Sequence, residues 1–360
     1  MRICVICSGY SYIFGGVEAV VSELCGRWAE CGNEVFILSG LGEKEGPVGA
    51  KLIKLPFFPS KFFQRIPFLT RVFPASEFEA LSLVPFILLY LIGINPDILL
   101  SNKIAETLPA EMLNIPHVMF SQAPIMNRFN SFKKADKVVV NDAQSYKLLK
   151  KYSLRLEFIL NGVNMPSVQQ TDIENSRAKY GISKSSMVIL TVARLDFNKR
   201  INLLIDAFKL IKQDYALIIV GDGPELLSLK KQAAGIRSQN KIIFVKPMPH
   251  AQLYEIYQMC NVFTLPSKLE TVALVLLEAL TFGKAVVTNP TPEKEFILGK
   301  FGVFTNVEDP KAYSESLIQS CSIKIDVNSL EYIQHLKKFN WNSIASQYEK
   351  LFSEILQKRA

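Results

Sequence analysis

Two glutamates eight positions apart, Glu270 and Glu278, stand in the segment PSKLETVALVLLEAL. Glu270 falls in the loop after the apolar run NVFTLPS, and Glu278 falls inside the helical pattern that follows, among Leu276, Leu277, Ala279 and Leu280. A carboxylate in such a setting is costly unless it is paired or hydrogen-bonded. The N–H groups of Thr271, Val272 and Ala273, with Leu274 behind them, open that helix, where they lack intrahelical partners and can bind an anion. The same pattern also fits a plainer arrangement, with Glu270 as a helix cap and Glu278 as a satisfied structural residue.

Two cations sit at the mouth of another strand. In TVARLDFNKR, Arg194 closes an apolar run and Lys199 follows five residues on, just before a helical pattern. A guanidinium and an ammonium near a helix N-terminus suit a diphosphate, the former as a bidentate fork and the latter as a point charge. Fixed positive charge there favours a leaving group that gains negative charge as its bond breaks. Ordinary surface charge is the other reading. Two glycine turns complete the set. Gly15 and Gly16 precede a helix whose free N–H groups could hold a phosphate or a sugar, or they simply serve a tight turn. Gly221 and Gly223, in GDGP after an apolar strand, let the backbone approach a nucleotide or only form the turn. Neither loop has the G-x-G-x-x-G spacing of a dinucleotide site.

Elements that alternate between strand and helix patterns must position these loops. RICVIC, EVFILSG, AKLIKLPF, DILLSN, HVMF, DKVVVND and EFILNG read as strands of a first half. After a polar stretch, 166–186, the pattern restarts with MVILTVAR, YALIIVGDG, KIIFV, NVFTLPS, AVVT and GVFT, separated by helical patterns. The run Leu81–Ile94 reads as a buried helix, being short for a membrane span, and a last helix begins at Trp341. The reading is an α/β chain of two doubly wound domains facing a cleft: 1–164, 165–339, and a closing helix, 340–360.

Composition narrows the partners. The chain has 360 residues, 49% hydrophobic and 21% charged, which suffices for two folded domains and argues against disorder. Its net charge of +8 favours an anionic partner: phosphorylated small molecules or an anionic lipid surface. Nucleic acid ranks last, since no zinc-finger, RNP or helix-turn-helix signature is visible. Cys4 and Cys7 have no second close pair to make a zinc ribbon and read as buried thiols of a reducing cytoplasm; no clustered metal-ligand motif is seen, so no metal and no cofactor are expected. No signal-peptide pattern follows Arg2, which fits a cytoplasmic chain, soluble or peripheral at the membrane. His117 reads as a strand residue rather than a catalyst.

The ordered set GGVE, ILNGVN, VARLDFNK, VGDGP, PSKLETVALVLLEAL and the closing FNW resembles the retaining glycosyltransferases of family 4, most strongly from Phe158 to Gly302. The resemblance implies the GT-B fold, with two Rossmann-like domains and a C-terminal helix returning to the first. It further implies that Glu270 holds hydroxyls of the donor sugar, Glu278 the ribose, and Arg194 and Lys199 the diphosphate. Gly15 and Gly16 would lie over the donor from the other domain. The chain departs from the pattern at Thr271, Val272 and Ala273, where the family has Gly-Phe-Gly, and at Lys246–Pro247, where a glycine is common. A histidine of the family is replaced by Ser121 or Gln122.

The resemblance implies transfer of a hexose-type sugar from a nucleotide-diphosphate donor, with retention, to a glycan or lipid-linked acceptor. No carboxylate pair suited to double displacement is evident, which leaves a front-face route. The acceptor would bind the first domain. There PFFPSKFFQRIPFLTRVFP, residues 56–74, interleaves aromatics with Lys61, Arg65 and Arg71, the composition of an anchor to an anionic membrane surface or of a partly buried loop. A non-catalytic nucleotide-sugar-binding subunit and a GT-B epimerase are the competing readings.

Overall fold

The computed structural model describes residues 1–13, 15–64, 75–121, 135–151, 155–165, 172–235, 240–248, 250–268 and 274–359. Contacts divide the chain into two compact units, Met1–Gly162 with Phe339–Ala360, and Val163–Lys338.

The first unit is built on seven parallel strands: β1 Arg2–Ile6, β2 Glu34–Gly40, β3 Lys51–Leu55, β4 Ile98–Ser101, β5 His117–Ser121, β6 Lys137–Val140 and β7 Leu156–Phe158. Their order is β3-β2-β1-β4-β5-β6-β7. The direction of winding reverses between β1 and β4, so the loops after these two strands open a crevice at the carboxyl edge. The strands are short apolar runs because both faces are covered by helices. Cys4, Ile6, Leu38 and Leu99 pack against Leu83, Ile87 and Leu91 of the helix Ala75–Ile94.

That helix corrects the sequence reading. It was expected to be a buried helix, but only the Leu83–Ile87–Leu91 stripe faces the core. The opposite stripe, Leu81, Phe86, Leu89, Tyr90 and Ile92, is exposed. The cause is geometric: a helix laid flat on a sheet covers one side of itself, however apolar its whole circumference.

The terminal helix Trp341–Arg359 packs on the helix Gly16–Glu30 of the same unit. The Trp28 indole N–H donates to the Ala345 carbonyl at 3.1 Å, with the Phe352 ring 5.3 Å away. The Arg359 guanidinium forks onto Asp136 at 2.9 and 2.8 Å.

The second unit carries six parallel strands: β8 Met187–Val192, β9 Tyr215–Val220, β10 Lys241–Val245, β11 Val262–Thr264, β12 Ala285–Thr288 and β13 Gly302–Phe304, in the order β10-β9-β8-β11-β12-β13. Winding reverses between β8 and β11, which places the loops after these two strands side by side. Helix Ile201–Lys209 buries Ile201, Leu204, Ile205, Ala207 and Phe208 against β8 and β9. Strands and several helices were legible in the sequence, but the helices Ile104–Leu113, Ala143–Lys150, Pro292–Leu298, Pro310–Ser320 and Leu330–Lys337 were not. Signals for the third and fourth were present: Thr291 and Asp309 cap them, each followed by a proline at the first helical turn.

Candidate donor site at the carboxyl edge of the second sheet

The loops at the carboxyl edge of the second sheet are stitched to one another by hydrogen bonds. The Ala193 and Leu195 N–H groups donate to the carbonyls of Val220 and Asp222 at 3.0 and 2.8 Å, joining the loops after β8 and β9. The Lys268 N–H donates to the Asn198 carbonyl at 2.8 Å, joining the loop after β11 to the loop after β8. Thr288 Oγ1 donates to the Leu265 carbonyl at 2.6 Å, which ties in β12. The segment bearing Arg194 and Lys199 is thus bound to the segment that runs on toward Glu270.

Gly221 and Gly223 owe their identity to this stitching. Both have positive φ, and a Cβ on Gly221 would stand 1.9 Å from the Ala193 carbonyl oxygen, with one on Gly223 2.3 Å from that of Leu195. The close backbone approach anticipated for a nucleotide is here an approach to the chain's own β8 loop.

Arg194 is well exposed, its side chain 76% accessible, with Asp196 at 3.8 Å as an ion-pair partner. Lys199 ends the 3-10 turn Phe197–Lys199, which Asp196 caps by accepting from the Asn198 N–H. The next residue, Arg200, differs in kind. Its backbone is left-handed at φ 51°, and its guanidinium donates to the Pro266 carbonyl at 2.7 Å and to Glu308 at 2.9 Å. Arg200 therefore clamps the β11 loop against the β8 loop, a role its sequence neighbourhood did not signal.

Glu278 sits in the helix Leu274–Thr281 between buried leucines. The Tyr257 hydroxyl donates to its Oε2 at 2.8 Å, and the tyrosine is itself fully buried, stacked on Phe282 at 5.3 Å. Burial, and then the adjacent carboxylate, push the Tyr257 hydroxyl well above its ordinary pKa, so it stays a donor throughout the accessible pH range. Glu270, Thr271, Val272 and Ala273 lie outside the described residues; Leu274 begins the helix.

A lysine that sequence reasoning passed over completes the edge. Lys294, in the helix Pro292–Leu298, is fully buried. Its ammonium donates to the Ser267 carbonyl and to Asn289 Oδ1, both at 2.8 Å. A buried ammonium is tolerated only where acceptors replace its water. Lys294 thus ties the loop after β11 to the loop after β12.

In the first unit, Gly15 and Gly16 open the helix Gly16–Glu30, with Gly15 as its extended N-cap. The Glu18 carboxylate folds back over this terminus; a Cβ on Gly15 would come 2.7 Å from its Oε2. Desolvation raises the Glu18 pKa, opposed by a bond to its own N–H and by Lys44 and Lys103. The amides read as an anion site are therefore partly covered by the chain's own acid. Gly16 faces open space. His117, at the amino end of β5, is buried, with its ring pKa lowered by desolvation. Cys4 and Cys7 are buried thiols. Among the described residues no group of three or more His, Cys, Asp or Glu side chains could hold a metal ion.

Residues 172–333 match the family described as glycosyl transferases group 1. Over this segment, somewhat less than half of the 360 residues, the chain is similar to the group 1 glycosyl transferases. Alpha-monoglucosyldiacylglycerol synthase of Streptococcus pneumoniae is 28% identical over 155 residues, 40% of this chain and 35% of that enzyme, so the match spans about a third of the relative's length. N-acetyl-alpha-D-glucosaminyl L-malate synthase of Bacillus anthracis is 23% identical across 95% of both chains. The Anabaena protein HepE, solved in complex with UDP-glucose, superposes with a TM-score of 0.76 over 98% of this chain and 100% of that one, at 15% identity. That likeness concerns the fold, which is GT-B: two Rossmann-like parallel-sheet units. The matched segment holds the β8, β9, β11 and β12 loops just described.

Proposed function

We propose that this chain moves a hexose-type sugar from a nucleotide-diphosphate sugar to a glycan or lipid-linked acceptor, with retention of anomeric configuration. The observation that carries the reading is the joining of the Arg194–Lys199 loop to the β11 loop by the Lys268 N–H and by Arg200. Cations suited to a diphosphate and the start of the Glu270–Glu278 segment thereby share one edge of one sheet. In this reading Arg194 and Lys199 grip the pyrophosphate, and the amides of Thr271, Val272, Ala273 and Leu274 add partial positive charge. Glu270 takes hydroxyls of the sugar and Glu278 takes the ribose. Gly15 and Gly16 are kept as donor-binding residues on the strength of the resemblance alone, and Gly221 and Gly223 hold the β8 loop in register.

The reaction follows a front-face course. The bond from the anomeric carbon to the phosphate oxygen breaks, and the acceptor hydroxyl forms its bond on the same face. The departing phosphate oxygen takes the acceptor's proton. Arg194 and Lys199 offset the charge that builds on the leaving group, so no metal or other cofactor is required. We place the enzyme in the cytoplasm, where its buried thiols stay reduced, with an acceptor presented at the anionic inner membrane surface and contact through residues 56–74.

The test is a thermal-shift screen of UDP-, GDP- and ADP-sugars, followed by NMR of the product's anomeric proton. A donor that stabilises the protein and a product with the donor's configuration support the proposal. Binding without transfer or donor hydrolysis leaves a non-catalytic subunit instead, and an inverted product refutes retention.

A further inference from the structure

The helix Ala75–Ile94 is long and apolar enough to cross a bilayer, with a mean hydropathy of 1.8 over its most apolar window, of which 33% is buried. At 20 residues it would measure about 30 Å, the thickness of the hydrocarbon core. It does not span anything in this fold, because Leu83, Ile87 and Leu91 are locked into the first sheet's core. Its outward stripe is nonetheless apolar. Leu89 and Ile92 are 69% and 67% exposed, and Leu81, Phe86 and Tyr90 are exposed beside them. A surface helix of a water-soluble domain ordinarily turns polar residues outward. This one has no charged residue from Ala80 to Ile94.

Its two acidic residues point inward. Glu77 accepts from the Ala105 N–H at 3.0 Å, and Glu79 accepts from the Ser60 N–H at 2.7 Å and pairs with Lys103. The outward face therefore carries no negative charge. The patch continues onto the neighbouring segment: the Phe58 N–H donates to Ser82 Oγ at 3.0 Å, and the Phe58 and Phe62 rings, both exposed, lie 5.7 Å apart. Lys61, exposed between them, supplies a cation at the rim.

We propose that the outward face of Ala75–Ile94, with Phe58 and Phe62, seats the protein in the surface of an anionic lipid bilayer. The helix lies flat at the level of the headgroups, its inner side held by the sheet and its outer side among the acyl chains. Lys61 and the chain's net charge of +8 complement anionic headgroups, and the inward-turned Glu77 and Glu79 keep this helix's own acids away from them. The inference rests on the membrane-side reading above and extends its contact from residues 56–74 to the outward face of this helix.

The test is co-sedimentation of the full chain with vesicles of equal parts phosphatidylglycerol and phosphatidylcholine, against vesicles of phosphatidylcholine alone. Wild type should partition more strongly onto the anionic vesicles. The double variant Leu89→Glu, Ile92→Glu should lose at least about tenfold in that partitioning, since it sets two like charges against the headgroups. Both side chains are mostly exposed, so the variant should keep its circular dichroism and its thermal shift with donor, which separates this outcome from failure of the transferase reading. Equal binding by wild type and variant overturns the proposal. So does the absence of wild-type binding, whether or not light scattering then shows a dimer that the variant dissociates.

Discussion

Replacing Tyr257 by phenylalanine isolates the support beneath Glu278. The ring would keep its stack on Phe282, 5.3 Å away and 8° from parallel, and its contact with Phe263. Only the hydroxyl that donates to Glu278 Oε2 at 2.8 Å would go. A hydrogen bond to a charged group contributes about 1.5–3 kcal/mol, and its loss removes that donor from a carboxylate that is only 8% exposed. Taking about 2 kcal/mol, and about 2–4 °C per kcal/mol for a unit of this size, the second unit's Tm should fall by roughly 4–8 °C. A looser Glu278 should also weaken donor binding, raising the donor KM about tenfold with little change in kcat. Differential scanning fluorimetry with and without nucleotide, and initial rates against donor concentration, measure both effects. Unchanged Tm and unchanged KM together would refute the argument that Tyr257 holds Glu278 for the donor. A fall in Tm with donor KM intact would leave the bond structural and remove Glu278 from the donor site.

Four other outcomes are expected. Arg194→Ala should leave Tm within about 1 °C of wild type, because the side chain is exposed, yet lower kcat/KM about a hundredfold in a transfer assay. Lys294→Met should strand the Ser267 carbonyl and Asn289 Oδ1, lowering stability by about 2–4 kcal/mol in urea denaturation and reducing donor affinity. Gly221→Ala should cost about 3 kcal/mol or more by the same measurement, since its Cβ would stand 1.9 Å from the Ala193 carbonyl oxygen. Glu18→Gln should make stability less dependent on pH. The folded-state pKa of Glu18 is raised by desolvation, so its contribution is full below the unfolded value near 4.5 and is lost as pH rises through the folded value. The variant should therefore gain a few degrees in Tm over wild type at pH 7 and none near pH 4, with Lys44, Lys103 and Glu106 as the charged neighbours in both.

Legibility in the sequence followed physical range. Strand and helix periods are local, so RICVI, MVILTV, YALIIV and the pattern from Trp341 to Lys358 announce two parallel α/β layers and a closing helix. Turn chemistry is local too, which is why GDGP read as a turn. Its purpose was not local: Gly221 and Gly223 are required by the carbonyls of Ala193 and Leu195, on a different strand's loop. The partners of the buried charges were out of reach for the same reason. Tyr257 stands 21 residues from Glu278, and Ser267 stands 27 from Lys294, with no pattern linking either pair.

Composition alone likewise marked Leu81–Ile94 as a buried apolar helix but could not say which side the sheet would cover. By itself, then, the sequence determined the class of fold, the alternation of elements and the residue types available at the loop mouths. The tertiary structure decided the β10-β9-β8-β11-β12-β13 order that brings the β8 and β11 loops together, the clamps by Arg200 and Lys294, and the apolar face left outside. Local periodicity fixes what an element is. Which elements touch depends on covering every apolar surface and satisfying every buried polar atom at once, and those conditions exist only in three dimensions.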